Sequence, residues 1–183
     1  MQKIEITQAT PQDLDWIVAL YQANTKQQLQ QPVQGFVQDN PHFEQLAQKW
    51  IESSSIYKAE IGQQPAGFLV LQQMLSMNGP EIIQYIHQHA DILVLNERHL
   101  ADMRYATYGP ILVYHDYRGM GVAKRLYEQA IQDLKQQSFD ALIAFIDLEN
   151  STSLKVHIDG LGMRIIDKVV LASGQFYIIG QVV

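Results

Sequence analysis

A short glycine-bearing stretch in the second half of the chain has the residue types that bind phosphate. Residues 118–123 read Arg-Gly-Met-Gly-Val-Ala, and the cations Lys124 and Arg125 follow directly. Gly119 and Gly121 allow the backbone to approach a ligand closely because they carry no side chain. A helix start adds unpaired amides at the positive end of its dipole. The stretch therefore predicts a phosphate-binding loop.

Two common nucleotide-binding patterns fit this loop poorly. The Walker pattern requires Gly-Lys-Ser/Thr, which is absent here. The dinucleotide-binding pattern requires a third glycine where Lys124 stands, and it normally follows the first strand of a parallel unit. A nucleotide-binding oxidoreductase is therefore supported only by a partial Gly-x-Gly match.

The elements next to the loop must hold its backbone at a helix start. The apolar residues 105–114, which include Gly109-Pro110, predict a strand. Residues 119–136 predict a helix, since Leu126, Ala130 and Leu134 recur at helical spacing. Residues 141–146 form a continuous apolar run, which is typical of a buried central strand.

Periodicity and turn residues predict the remaining elements. They are a strand containing Ile4 and Ile6, a helix from Thr10-Pro11-Gln12-Asp13 through Tyr21, a loop or short helical pieces over 25–41, a helix over 41–52, strands over 55–61 and 66–74 joined by a turn at 62–65, a helix from Pro80 within an inserted segment at 75–104, a short helix from Ser151 to Gly160 and Gly162, and strands over 164–171 and 176–183 flanking a turn at Ser173-Gly174. This order predicts one mixed α/β domain.

Composition excludes several classes of protein. The 183 residues suffice for one domain, and the absence of cysteine excludes disulfides, thiolate metal sites and a cysteine acyl-enzyme. The net charge of −6 disfavours binding to nucleic acid. Charged residues at the amino terminus and the lack of a long apolar run favour a cytoplasmic protein without a membrane segment. His87 and His89 face different sides of a helix and, with His99, predict no metal site.

The spacing Arg118-x-x-Gly121-x-Ala123 resembles the acyl-CoA loop of the GNAT family of N-acetyltransferases. The resemblance extends over nearly the whole chain. Its other parts are the strand–helix junction at 9–14, the strand leading into the loop at 111–119, with His115 where the family usually has proline, and the segment Asn150-Ser151-Thr152-Ser153 followed by His157 and Leu161-Gly162-Met163.

This resemblance implies a fold. A mixed, mostly antiparallel central sheet of about seven strands, flanked by helices, would form a single domain over residues 1–183. The segment 75–104 would be an insertion that shapes the acceptor site. In this family the fourth and fifth strands splay apart and admit the pantetheine arm like an added strand. Gly109-Pro110 fits a bulge that starts the splay, or else a plain strand break.

The resemblance also implies cofactor-binding residues. Backbone groups of Ile111 and Val113 would pair with pantetheine, amides from Gly119 through Lys124 would hold the pyrophosphate, and Asn150 would bond pantetheine, cap the next helix, or do both. Lys124, Arg125 or Lys155 would meet the 3′-phosphate. The full implied set is Ile111, Val113, Arg118, Gly119, Met120, Gly121, Val122, Ala123, Lys124 and Asn150.

The catalytic residues are less clearly marked. His157 occupies the position that resembles the family's tyrosine acid, although the spacing to Gly162 is one residue longer than usual. Alternatively, His157 packs between helix and sheet with one nitrogen bonded to backbone. Tyr108 and Tyr105 are the polar candidates on their strand, which has no carboxylate. Glu97 and Asp102 would order a water or simply be surface groups.

The expected activity is direct transfer of an acetyl group from acetyl-CoA to a primary amine in a ternary complex, without a metal. The acceptor would be a small molecule or a peptide, and the acidic balance favours a cationic one. The alternative is an acyl-CoA sensor or a catalytically silent relative. A homodimer formed through an exposed terminal strand is also plausible from the sequence.

Overall fold

The computed structural model describes residues 3–29, 35–73 and 79–183, and these form nine strands and five helices. In chain order they are β1 Ile4–Gln8, α1 Leu14–Ala23, α2 Phe43–Glu52, β2 Ile56–Ile61, β3 Gln64–Gln72, α3 Glu81–Gln88, β4 Val94–Leu95, β5 Arg98–His99, β6 Tyr105–Val113, α4 Val122–Gln136, β7 Ala141–Asp147, α5 Ser151–Lys155, β8 Arg164–Leu171 and β9 Gly174–Val182. Apart from β4 and β5, this is the predicted order of elements. Met74, the predicted end of β3, lies outside the described residues.

Seven of these strands form one mixed sheet in the order β1-β2-β3-β6-β7-β9-β8. The β6–β7 ladder is parallel and runs from the pair Tyr105↔Ala141 to the pair Thr107↔Ile143. The β1–β2, β2–β3, β7–β9 and β8–β9 ladders are antiparallel. The predicted fold class is therefore confirmed. As far as it is described, the chain divides into two compact units, residues 1–71 with 109–130 and residues 72–108 with 131–183.

In the first unit, the Asp13 carboxylate accepts four hydrogen bonds and fixes the start of α1. The Thr10 amide and hydroxyl donate to Asp13 Oδ2 at 2.8 and 2.9 Å, and Trp16 Nε1 and Lys58 Nζ donate to Oδ1 at 3.0 and 3.1 Å. Burial alone would raise the pKa of Asp13, but these hydrogen bonds outweigh it and hold the pKa below its ordinary value. The predicted cap is thus present, and its acidic member also ties α1 to β2.

The core of the first unit lies where α1 and α2 pack on the sheet. Tyr21 of α1 stacks on Phe43 of α2 with ring centroids 3.5 Å apart, and its hydroxyl donates to the carbonyl of Gln38. The β2–β3 turn is shorter than predicted. It comprises Gly62 and Gln63, both with positive φ, because Ile61 already pairs with Gln64. Two residues in this conformation match the twist of a hairpin better than the predicted four-residue turn.

The inserted segment packs on the sheet of the second unit. Its buried apolar residues form one cluster with residues of β7 and β9, namely Ile82, Ile86, Leu93, Leu95 and Leu100 with Ala141, Ile143, Phe176 and Ile178. The predicted helix after Pro80 is confirmed as α3, whereas the β4–β5 hairpin was not predicted. Two-residue strands carry too little periodicity to be recognised. The continuous apolar run of β7 is confirmed as a strand between β6 and β9.

The edge strand of the second unit is not the one expected. The last strand, β9, lies between β7 and β8, so the prediction of an exposed terminal strand is wrong and the edge is β8. Ile165 and Val170 of β8 are exposed. The β8–β9 turn comprises Ala172 and Ser173, since Leu171 pairs with Gly174. The predicted turn at Ser173-Gly174 is therefore displaced by one residue.

A half-buried histidine of α3 has one buried ring nitrogen without a hydrogen bond. His87 Nδ1 lies 2.9 Å from the Tyr105 hydroxyl, and the two rings stack. Within residues 3–29, 35–73 and 79–183, His87 Nε2 is the one buried side-chain nitrogen or oxygen without a partner. Burial lowers the pKa of His87. The folded protein therefore disfavours protonation of this ring.

Acidification from about pH 7.5 to about pH 5.5 is expected to lower the free energy of unfolding, and His87→Phe is expected to reduce that loss. The pKa of His87 in the folded protein is below the unfolded value of about 6.5. The stability that the neutral His87 ring contributes is therefore fully present above about pH 6.5, and it is lost as the pH falls toward the folded-state pKa. Uptake of one proton changes the slope of the free energy of unfolding against pH by at most about 1.4 kcal/mol per pH unit. Urea unfolding at several pH values measures it. His99→Phe, at an exposed histidine of β5, is the control, and equal flattening by both variants would contradict the assignment.

Candidate functional site

The predicted phosphate loop links β6 to α4 through one turn of 3₁₀ helix at His115–Tyr117. Gly119 and Gly121 have φ values of +75° and +85°, in the region that favours glycine. A side-chain carbon built at either position would meet no atom within 4 Å. The glycines are therefore required by the backbone conformation and not by packing, and the space in front of both is open to a ligand.

The start of α4 presents amides that the helix itself cannot pair. The Arg125 amide donates to the Gly121 carbonyl at 3.0 Å, which begins the main-chain ladder of α4. The amides of Gly121, Val122, Ala123 and Lys124 precede that point. Such first-turn amides require an outside acceptor, and the dipole makes an anion favourable. Binding of an anion at these residues stays a prediction.

The Arg118 side chain is engaged within the protein. Its Nη2 donates to Asn24 Oδ1 at 2.9 Å, and its Nε donates to the Val113 carbonyl at 3.3 Å. Asn24 is buried at the end of α1, and its Nδ2 donates to the Leu20 carbonyl at 2.8 Å. The guanidinium therefore anchors the loop to α1 and β6. Asn24 was not predicted, because nothing in the sequence links positions 94 residues apart.

The two cations at this helix start lie on its exposed side and form only surface ion pairs. Lys124 Nζ is 4.0 Å and Arg125 Nη1 is 3.4 Å from the carboxylate of Glu128. All three side chains are about half exposed or more, so these ion pairs contribute little to stability. Either cation can therefore pair with another anion instead. Lys155, the third cation predicted for a 3′-phosphate, is exposed on α5 in the second unit.

β6 stops pairing with β7 just before Gly109-Pro110, the dipeptide predicted to form a bulge or a strand break. The strand continues through this dipeptide to Val113, whereas its ladder with β7 ends at Thr107. Gly109 has a φ of +126°, the Gly109-Pro110 peptide is cis, and Pro110 has no amide hydrogen to donate. Because the strand continues to Val113, the prediction of a plain strand break is wrong. Ile111 and Val113 are half-buried on the segment that follows.

In the second unit, Asn150 caps α5. Its Oδ1 accepts from the Ser153 amide at 3.2 Å, and the residue is buried. This confirms the capping interpretation of Asn150, which satisfies one of the amides left open at a helix start. Contact with pantetheine stays a prediction.

His157 is buried in the turn that extends α5. Its Nδ1 lies 2.6 Å from the Ser153 carbonyl oxygen, and its ring stacks on Tyr108 with centroids 5.7 Å apart. Burial lowers the pKa of His157, partly offset by the hydrogen bond to Ser153. The expectation that one nitrogen bonds to backbone is confirmed.

The predicted tyrosines have separate partners. Tyr108 is buried, and its hydroxyl donates to Met163 Sδ at 3.3 Å, a contact that was not predicted. The Tyr105 hydroxyl pairs instead with His87. Glu97 and Asp102 are exposed, in agreement with their interpretation as surface groups. His157, Tyr108 and Met163 therefore form one cluster in this unit.

The segment after α5 is a π-helical turn at Val156–Gly160, in which the Leu161 amide donates to the Val156 carbonyl at 3.0 Å. A π turn holds one residue more than an α turn and occurs often at functional sites. The stretch from His157 to Gly162, predicted to be one residue longer than usual, overlaps this turn.

No group of three or more histidine or acidic side chains in the described ranges is arranged to hold a metal ion. No helix in the same ranges is long and apolar enough to cross a membrane.

Comparisons with known proteins agree with this geometry. The model of the acetyltransferase (GNAT) family matches residues 19–163. No curated protein gives a significant match. Among solved structures, an agmatine N-acetyltransferase is similar at a TM-score of 0.69 with 10% identity, covering 98% of this chain and 99% of that one.

Two further structures have comparable similarity. Ribosomal-protein-alanine N-acetyltransferase from Brucella melitensis has a TM-score of 0.64 with 16% identity, over 98% of this chain and 99% of that one. Arabidopsis thaliana Naa50 in complex with the bisubstrate analogue CoA-Ac-MVNAL has a TM-score of 0.63 with 12% identity, over 97% of both chains. At these identities the likeness concerns the fold.

Proposed function

Because the chain belongs to the acetyltransferase (GNAT) family, we propose that it transfers the acetyl group of acetyl-CoA to a primary amine. The observation that carries the proposal is the loop before α4. It combines two positive-φ glycines facing open space with the unpaired first-turn amides of a helix. Such a site suits a pyrophosphate, since both are anionic and rich in hydrogen-bond acceptors.

The first unit supplies the groups proposed to bind CoA. Amides from Gly119 to Lys124 hold the pyrophosphate, with Met120, Val122 and Ala123 forming the walls of the loop. Arg118 contributes by anchoring that loop through Asn24 and Val113. The backbone of Ile111 and Val113 bonds the pantetheine arm as an added strand would. Lys124 or Arg125 meets the 3′-phosphate.

The second unit supplies the groups proposed to act near the acetyl group. His157 and Tyr108 form a stacked pair whose environment is almost free of solvent. In such an environment a single nitrogen or hydroxyl has a larger effect on a proton transfer than in water. Asn150 holds the start of the helix that carries His157, and we propose that it also bonds pantetheine.

We propose direct attack in a ternary complex. The acceptor nitrogen forms a bond to the thioester carbonyl carbon, the carbon–sulfur bond breaks, and the sulfur leaves with the electron pair. The chain has no cysteine that could carry an acyl-enzyme. Holding both substrates at once removes the entropic cost of a bimolecular encounter.

The acceptor class is proposed from chemistry and from the names of similar proteins. Agmatine, an alanine of a ribosomal protein and the peptide MVNAL are named for proteins of this fold, and each offers a primary amine. The net charge of −6 favours cationic acceptors through electrostatic steering. A panel of diamines, amino acids, aminoglycosides and peptides with free amino termini therefore covers the proposal.

Thermal unfolding with acetyl-CoA, and separately with NAD, tests the donor. A ligand that binds only the folded protein raises its stability by about 2.7 kcal/mol at about 100 times Kd. We expect a shift with acetyl-CoA alone, followed by release of free CoA with at least one amine of the panel. Without any shift by acetyl-CoA the proposal fails. Binding without turnover on every amine would favour the acyl-CoA sensor.

A further inference from the structure

We infer that His157 takes the proton that the acceptor amine must lose, through Nε2, and that the Ser153 carbonyl is the positioning group that leaves Nε2 without a hydrogen. This inference rests on the proposed acetyl transfer and assigns a role within it. It reverses the sequence expectation, in which His157 stands where a proton donor is expected.

The tautomer of His157 follows from its partner. The Ser153 carbonyl oxygen, 2.6 Å from Nδ1, can only accept a hydrogen bond, so Nδ1 must carry the hydrogen. A neutral imidazole has one hydrogen, and Nε2 is therefore a bare lone pair. The Ser153 hydroxyl lies 3.4 Å from the same Nδ1 and leaves this assignment unchanged, since a hydroxyl can accept as well as donate.

Nε2 of His157 forms no hydrogen bond among the described residues. The fully buried side-chain nitrogen without a partner is that of His87, so Nε2 of His157 is not sealed from solvent. The residue as a whole is only 5% exposed, so this unused proton acceptor belongs to a largely desolvated ring. A general base requires this combination of a desolvated ring and an open lone pair.

The surroundings of His157 keep the ring neutral. Tyr108 is a titratable group stacked on the ring, and the Tyr108 hydroxyl donates to Met163. Lys155 and Asp159, on the same helical segment, are exposed. Within the described part of the chain no carboxylate forms an ion pair with His157, and burial lowers the pKa of His157 despite the bond to Ser153. At neutral pH the ring is thus a proton acceptor and a poor acid.

The ring is also held in place. Nδ1 is tied to Ser153 one turn earlier, one face packs on Tyr108, and the π turn at Val156–Gly160 encloses the residue. The Met163 amide donates to the His157 carbonyl at 3.0 Å, which fixes the backbone as well. Such support for both ring and backbone is typical of a group whose lone pair must keep one direction.

The proposed step balances as follows. The acceptor enters as R–NH₃⁺ and gives one proton to Nε2 of His157, directly or through a water. The freed nitrogen lone pair forms the bond to the acetyl carbonyl carbon, and the carbon–sulfur bond breaks with its electron pair on sulfur. The nitrogen then carries two protons; one of them neutralises the thiolate and the other stays on the amide product, and the imidazolium releases its proton to solvent.

Two measurements test the inference. The first is the ¹⁵N NMR spectrum of the histidine rings in the unmutated protein, with His157 assigned by comparison with His157→Phe. We expect the Nδ1–H tautomer at neutral pH. An Nε2–H tautomer, or a protonated ring, would overturn the assignment whether or not an acceptor amine has been found.

The second measurement is kcat for the unmutated enzyme and for His157→Phe, which keeps a ring to stack on Tyr108. We expect a loss of about 10²- to 10⁴-fold near neutral pH that shrinks as the pH approaches the pKa of the acceptor, because a free amine needs no base. Acetyl-CoA affinity is expected to stay within about threefold. His42→Phe, at an exposed histidine before α2, is the control.

The outcomes distinguish failure of the proposed role of His157 from failure of the proposed acetyl transfer. A loss that stays constant with pH, or no loss at all, overturns the role of His157 while leaving acetyl transfer intact. Absence of turnover by the unmutated enzyme on every amine ends the proposed function and this role with it. If His157→Phe does not fold, His157→Gln takes its place, and the NMR measurement on the unmutated protein still decides the tautomer.

Discussion

Replacing Gly121 with glutamate is expected to weaken acetyl-CoA binding by about 100-fold or more, equivalent to about 2.8 kcal/mol. The carboxylate would stand in the open space before the α4 amides and repel the phosphates that those amides are proposed to bind. The φ of +85° adds backbone strain of about 1–2 kcal/mol for any residue with a side chain. Isothermal titration with acetyl-CoA measures the change.

Gly62→Glu is the matched control for this variant. Gly62 belongs to the same unit, has a φ of +57° and open space around it, and lies in the β2–β3 turn. Both variants therefore add the same charge and comparable strain, but only one adds them at the loop. Equal affinities for the two variants would show that the loop does not bind the pyrophosphate.

Replacing Gly67 with alanine is expected to lower the free energy of unfolding by about 3 kcal/mol, at the upper end of the usual overpacking cost. The added carbon would clash with the Leu112 carbonyl oxygen and lie 3.1 Å from Val113 Cα. Both atoms belong to the backbone of β6, so the clash is relieved only by moving one strand away from the other. Urea unfolding measures the change.

Gly180→Ala provides the comparison. Its added carbon would meet the Cδ1 atoms of Ile143 and Ile166 at 2.8 Å, and these are the ends of flexible side chains. Rotation of those side chains relieves the contact, so we expect a loss of about 1 kcal/mol. A loss for Gly180→Ala as large as that for Gly67→Ala would mean that movable and immovable neighbours cost the same here.

The correct predictions depend on residues that are close together in the sequence. The capping residues at Thr10 and Asp13, the apolar run of β7 and the two glycines before α4 each restrict the backbone within a few residues. A helix start and a glycine loop are defined by such neighbours, and the proposed anion site could therefore be located from its own residues.

The features that were missed depend on partners distant in sequence. Arg118 meets Asn24 across 94 residues, and Tyr108 meets Met163 across 55. The expected exposed edge at the terminal strand failed for the same reason, since only the full strand order shows that β8 lies outside β9. Which atom of His157 carries the hydrogen likewise depends on the partner of Nδ1.

The π turn at Val156–Gly160 has a consequence for how chains of this kind are aligned. One residue added to an α-helix rotates everything after it by about 100°, which would turn Met163 away from Tyr108. The wider turn absorbs that rotation locally, and the Tyr108–Met163 contact is present. If a related chain has one residue fewer between His157 and Gly162, an alignment that forbids gaps inside helices would place His157 one position out of register. The gap is then expected within residues 156–160.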